Sequence, residues 1–263
     1  MENPRISTLI DLHYDFVQGL FCSERHTTRL GQLVLSDLIS DPYYNHFCPN
    51  ADFEPSSLPS VTEELHARDR QPALYVTPLS PIGGDALTGF SEHARDSWML
   101  RATGPAQSAH GTTGIEVESV TGETREEFLS AFSSAYSSDD AVELYGPLED
   151  SYVHALSRGF EATSPNHERF PLLARVGGKA VGVVVLLISG SYAAVYALGT
   201  VADARQHGVG GALMSTCSRI AFEAGASFLF LQVEAGTGAE KWYRKLGYAH
   251  AFHGTCYASE APG

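Results

Sequence analysis

Val209, Ala212, Leu213, Thr216, Cys217, Ile220 and Ala221 recur along the chain at intervals of three and four. That spacing predicts an amphipathic helix running to about residue 224. Gly225 then stands where a left-handed residue closes a helix. The runs on either side, residues 192–201 and 228–233, are apolar almost throughout rather than alternating. This is the pattern of strands covered on both faces. Strand, helix and strand make a βαβ unit. A glycine-rich turn, Arg205-Gln206-His207-Gly208-Val209-Gly210-Gly211-Ala212, opens the helix at the carboxyl end of the first strand. Open α/β sheets bind their ligands at that end.

The same reading extends in both directions. Residues 115–120 alternate as a strand does, and a helix opening at Thr121 or Gly122 carries Phe128, Leu129, Phe132 and Tyr136. A second helix covers about 147–159, with Pro147 suited to its first turn. Residues 170–176 and 179–188 are strands joined by Gly177-Gly178, a tight-hairpin pair. Residues 239–248 form a short helix ahead of a final strand. Residues 104–112 are small, polar and broken by Gly and Pro, as a linker is. They divide the chain into an N-terminal α/β domain, 1–103, and a domain at 113–263.

The N-terminal half is less regular. A short helix is expected at 7–19, a strand at 29–36 and an aromatic loop at 41–47. Ser60 is placed to cap a helix running through Asp69, with Glu63 completing a capping box. Residues 71–79 read as a strand whose two prolines favour an edge. Residues 87–90 and 97–100 read as a strand pair.

The glycine-rich turn has a chemical use. An extended run, a Gly-rich turn and a helix start present the amides of His207, Gly208, Val209, Gly210 and Gly211 to a phosphate. A Cβ there would hold the phosphate off, and Arg205 adds positive charge at the rim. This Arg-x-x-Gly-x-Gly resembles the acyl-coenzyme A loop of the GCN5-related N-acetyltransferases (GNATs). The stretch from Ala239 to Tyr248 resembles that family's closing signature, Tyr-x-x-x-Gly-aromatic, here Tyr243, Gly247 and Tyr248. The element order over 112–258 is similar to the whole acetyltransferase core. The resemblance implies an α/β chain with a mixed sheet and a GNAT fold in the C-terminal half. Leu87-Thr88-Gly89-Phe90 and the strand ending Trp98-Met99 resemble the second half of the same fold. No glycine-rich loop accompanies them. A degenerate GNAT-like repeat and an unrelated capping domain both stay open for the N-terminal half.

The resemblance further implies acetyl-CoA, or another acyl-CoA, as co-substrate and no metal. Arg205, Gln206, His207, Gly208, Val209, Gly210, Gly211 and Ala212 would hold it, and a backbone N–H around Gly199, Thr200 and Val201 would polarise the thioester. Tyr243 falls where the family often has a tyrosine that protonates the departing thiolate. A phenol with pKa about 10 suits that proton, although a packed core aromatic fits the same position. Two departures stand out. Residues 192–200 carry no carboxylate, where many members have a glutamate as general base. Glu234 is the nearest candidate in sequence, with simple solvation as the alternative. Gly236 and Thr237 occupy the place of an asparagine that touches pantetheine. The expected activity is N-acyl transfer, acetyl by default, to a primary amine of a small molecule. An acyl carrier protein or aminoacyl-tRNA donor, and a non-catalytic acyl-CoA sensor, remain alternatives.

Charge and cysteine usage narrow this further. Seventeen Lys and Arg against 31 Asp and Glu give a net charge of −14. General nucleic-acid binding, which depends on cations neutralising phosphates, is therefore not expected. A cationic amine acceptor is mildly favoured by the field. No apolar run approaches the roughly 20 residues of a membrane span, and no signal-peptide pattern opens the sequence. Cys22, Cys48, Cys217 and Cys256 lack metal or disulfide spacing, which points to a reduced, cytoplasmic protein with free thiols. His250 and His253 are spaced as metal ligands on a helix would be, but they fall where a strand and turn are expected.

Overall fold

In the computed structural model, residues 4–104, 114–137 and 148–260 are described. The expected linker, apart from Gly104, and Pro147 lie outside these residues. The elements run α1 (Ile6–Val17), β1 (Glu24–Thr28), β2 (Gly31–Leu35), β3 (His46–Pro49), α2 (Leu58–Ala67), β4 (Ala73–Val76) and β5 (Phe90–Ala102). They continue with β6 (Ile115–Ser119), α3 (Arg125–Tyr136), α4 (Asp150–Gly159), β7 (Glu168–Val176), β8 (Lys179–Ser189) and β9 (Tyr192–Thr200). Then come α5 (Val209–Glu223), β10 (Phe228–Glu234), α6 (Gly238–Lys245) and β11 (Ala249–Ser259). Among the described residues no helix is long and apolar enough to cross a membrane.

The chain forms two compact units. The first is Met1–Met99, Arg158–Thr163 and Gln232–Gly263; the second is Leu100–Ser157 and Ser164–Leu231. This grouping differs from a simple split at the 104–112 stretch. The reason is pairing: the last strand, β11, lies antiparallel beside β4, with Thr255 opposite Val76 and Ala258 opposite Ala73.

In the first unit the strand order is β1-β2-β3-β4-β11-β5. The strand expected over 29–36 is instead the second arm of a hairpin, because Thr28 pairs with Gly31 and residues 29–30 make the turn. α2 starts at Leu58 rather than after Ser60 and lacks a side-chain cap. Pro59 sits in its first turn, where a missing N–H costs nothing. Residues 90–102 form one strand, not a pair, and Leu87 closes a 3-10 turn before it. Leu33, Leu35, Phe47, Phe53, Leu65 and Leu74 make a core where α2 meets the sheet. Burying each such side chain contributes about 1.5–3 kcal/mol.

The second unit follows the sequence closely. Its strand order is β10-β9-β8-β7-β6, and β10 and β9 are parallel. The β7–β8 hairpin turns at Gly177-Gly178, both left-handed. Residues 181–188 of β8 are buried without interruption, because helices cover both faces. Gly182 faces α5 and Gly199, paired with Val183, faces α3. A Cβ on Gly182 would stand 2.5 Å from Val209 Cγ1, so the missing side chain is what lets the start of α5 lie against β8. At its other end α5 closes as predicted, with Gly225 at φ 84°. The amide of Ala226 reaches back to Ala221 O (2.9 Å) and that of Gly225 to Phe222 O (3.0 Å). Together these bonds satisfy two of the helix's final carbonyls.

Candidate functional site

The predicted phosphate turn lies in the second unit, between β9 and α5. Near its end β9 carries one residue more than its neighbour: Val183 pairs with Gly199, but Val185 pairs with Tyr196. The surplus is taken up at Ala197, which adopts a left-handed φ of 50°, and such a bulge takes backbone groups out of the ladder. The Tyr136 hydroxyl donates to Leu198 O at 2.7 Å and fixes the bulge against α3. The three amides expected to face a thioester are not equivalent. That of Val201 donates to Val181 O (2.9 Å) and is spent in the sheet.

After β9 the chain makes a 3-10 turn at Ala202–Ala204. The Arg205 guanidinium is tied down: Nε donates to Thr200 O (3.1 Å) and Nη2 to Ala135 O (2.9 Å). It thereby joins the end of β9 to the last turn of α3, and its charge at the rim is held in place. Gln206 (φ 63°) and Gly208 (φ 89°) are both left-handed and reverse the chain around His207. The exposed His207 ring has Nδ1 2.6 Å from Arg205 O. The first turn of α5 has neither a capping side chain nor an acidic residue, and Ala212 N bonds Gly208 O at 2.9 Å. The amides of Val209, Gly210 and Gly211 therefore have no acceptor within the helix. With the helix dipole behind them, they suit an anion. A Cβ on Gly211 would meet nothing within 4 Å. The side chains of Val209 and Ala212, by contrast, are buried. Those two residues offer backbone alone.

Tyr243 and Glu234 belong to the first unit. β10 ends at Glu234, and Thr237 caps α6, accepting from Glu240 N (3.3 Å) and donating to Glu234 O (2.8 Å). Glu240 Oε2 accepts from Gly236 N (2.7 Å) and Oε1 from Arg244 (2.6 Å). Gly236 and Thr237, standing where an asparagine was expected, thus build a capped turn. Tyr243 is buried on α6, with its ring edge-on to Tyr248 at 5.7 Å between centroids.

Sequence reasoning missed Asp96. It lies on β5, only 7% exposed. Its Oδ2 accepts from Tyr43 Oη (2.5 Å) and from Tyr75 Oη (2.8 Å). Trp98 Nε1, which can only donate, gives its hydrogen to Tyr75 Oη (2.8 Å), so the Tyr75 proton must point at Asp96. Tyr75 has room because residue 254 is glycine: a Cβ there would stand 2.2 Å from its hydroxyl. Beside these groups, His46 stacks on Tyr75 and has Nε2 2.8 Å from the Tyr14 hydroxyl. Burial pushes the Asp96 carboxyl up to about 6, against the two phenol hydrogen bonds and with a further push from the Glu234 charge. Glu234, singled out from sequence alone, therefore acts on a carboxylate that sequence did not reveal. Burial foremost, then the Asp96 charge, holds the Tyr43 and Tyr75 phenols well above their ordinary value, so they remain donors. Burial also keeps His13 and His46 neutral, at about 3 and about 4.

His250 and His253 both lie on β11, with ring centroids 4.3 Å apart. Among the described residues no group of three or more His, Cys, Asp or Glu is placed to hold a metal.

The acetyltransferase (GNAT) family model matches residues 125–248. No curated protein matches the chain. Solved structures do. A GCN5-related N-acetyltransferase from Kribbella flavida is 17% identical, with a TM-score of 0.67 over 96% of this chain and 95% of its own. One from Sphaerobacter thermophilus is 15% identical, with a TM-score of 0.63 over 96% of this chain and 86% of its own. A tandem GNAT protein from the clavulanic acid biosynthesis pathway is 12% identical, with a TM-score of 0.56 over 89% and 79%. At these identities the likeness is one of fold, and it runs over nearly the whole chain.

Proposed function

Residues 125–248 match the acetyltransferase (GNAT) family model, and from that match we propose that the chain is an N-acyltransferase. It would move an acyl group, acetyl by default, from a coenzyme A thioester to a primary amine of a small molecule. The observation that carries this reading is the start of α5, with its unprotected amides, absent cap and absent acidic residue. The amides of Val209, Gly210 and Gly211 are assigned to the pyrophosphate, with Gln206, His207 and Gly208 shaping the turn. Backbone amides around the β9 bulge, at Gly199 and Thr200, are assigned to the thioester carbonyl, where an oriented donor counts most as the oxyanion forms. The amine attacks the carbonyl carbon, the carbon–sulfur bond breaks, and Tyr243 is assigned to hand its proton to the thiolate. The first 103 residues are read as a degenerate repeat of the fold. The whole-length match to GNAT-fold structures, one of them a tandem, supports that reading. Four buried free thiols favour a reducing, cytoplasmic setting.

Calorimetry of acetyl-CoA binding to the wild type and to Gly208→Glu/Gly210→Glu tests the proposal. Two carboxylates at the helix start should abolish micromolar binding while far-UV circular dichroism stays unchanged. Undiminished affinity in the double variant would remove the cradle assignment. No binding by the folded wild type would turn the search to a carrier-protein or tRNA-borne donor.

A further inference from the structure

We propose that the first unit contains a site for a primary ammonium group, built on the free oxygen of Asp96, and that this carboxylate accepts the amine's proton. The inference deepens the acyltransferase reading and rests on it for the fate of the amine, though not for its binding. Three observations carry it. Both hydrogen bonds to the Asp96 carboxylate fall on Oδ2, from Tyr43 and Tyr75, so Oδ1 accepts none among the described residues. The carboxylate is more than nine-tenths buried, yet no Lys or Arg pairs with it among the described residues. The charge that does reach it, from Glu234, is negative.

A buried carboxylate without a cation is costly, and removing the partner of such a pair is strongly destabilising. The arrangement makes chemical sense when the cation is a ligand. A primary ammonium fits because it is compact and brings three donors. Oδ2 is already saturated by two fixed hydroxyls, so the ligand is directed to Oδ1. There an N–H bond breaks and an O–H bond forms on Oδ1, leaving a neutral amine with a free electron pair. Asp96 later returns its proton to water. The groups facing Asp96 are the Tyr43 and Tyr75 hydroxyls, Glu234 at the end of β10, and Cys256 on β11. His253 Nδ1 lies 3.3 Å from its backbone carbonyl.

Both tryptophans, Trp98 and Trp242, lie in this unit, so intrinsic fluorescence of the full chain reads the site. The probes are ethylamine, 1,4-diaminobutane, phenethylamine and glucosamine, each against the alcohol that replaces its amine. At pH 7.5 at least one amine should give a saturable change that its alcohol does not. Its affinity should fall about tenfold at pH 5 as the carboxylate is neutralised. Asp96→Asn should lose about tenfold at pH 7.5 and lose the pH dependence with it. Tyr43→Phe, which removes one donor to Oδ2, should move the loss of binding to higher pH and serves if Asp96→Asn does not fold. Amines that bind Asp96→Asn as tightly as the wild type would overturn the site. So would a panel that is silent on a wild type that binds acetyl-CoA. A wild type that binds an amine but not acetyl-CoA would leave this site standing while removing coenzyme A as the donor.

Discussion

The stability of the first unit should carry the signature of Asp96, and the sign can be worked out. Its carboxyl moves from an ordinary 3.8 to about 6 on folding. The folded chain therefore binds this proton more tightly than the unfolded chain, by about 3 kcal/mol. A raised carboxyl stabilises the fold when protonated, and that contribution is lost as pH rises through about 6. Asp96→Asn cannot titrate and keeps an oxygen for both tyrosines. The free energy of unfolding of the variant minus that of the wild type should thus grow by about 2 kcal/mol between pH 4.5 and 7.5. His13 and His46 pull the other way, because burial lowers both and their contribution is lost as pH falls. They are present in both proteins and cancel in the difference. Urea unfolding followed by tryptophan fluorescence at several pH values measures it. A difference flat across that range would refute the buried, proton-sharing account of Asp96.

Two further outcomes follow from the packing and from the assigned chemistry. Gly182→Ala places a methyl 2.5 Å from Val209 Cγ1, so it should cost about 1–3 kcal/mol in a thermal melt and weaken acetyl-CoA binding by displacing the start of α5; unchanged affinity would detach the cradle from that contact. Tyr243→Phe should slow turnover about a hundredfold with acetyl-CoA affinity nearly constant. Lost affinity at an unchanged rate would remove its role as acid.

What could be read from sequence divides along physical lines. α5, its Gly225 stop, the Gly177-Gly178 hairpin and β10 were legible, because each is specified by residues close together in the chain. The N-terminal boundaries were harder. β5 reads as two strands because its first part is polar and exposed, and the apolar pattern begins only at Trp98. Asp96 was invisible for a different reason. Between Arg95 and Ser97 it looks like a solvated charge, and only β4, the turn at Tyr43 and β11 together enclose it. The one available hint was a carboxylate on the threshold of an apolar strand end. The effect of Glu234 on Asp96 likewise requires the fold.

The discontinuity of the first unit means that it can close only when its C-terminal stretch is in place. All the residues of the second unit lie before residue 232, whereas the first unit draws α6 and β11 from beyond it. Without β11 the edge of β4 that pairs with residues 255–258 is bare, and Tyr75 has no glycine backbone to lie against. A chain cut after Leu231 would keep every residue of the phosphate turn and lose part of the hydrogen-bond network. Tyr75 and Trp98 would lack the β11 residues that cover them, Gly254 and Phe252, so the polar centre of the first unit closes only with β11.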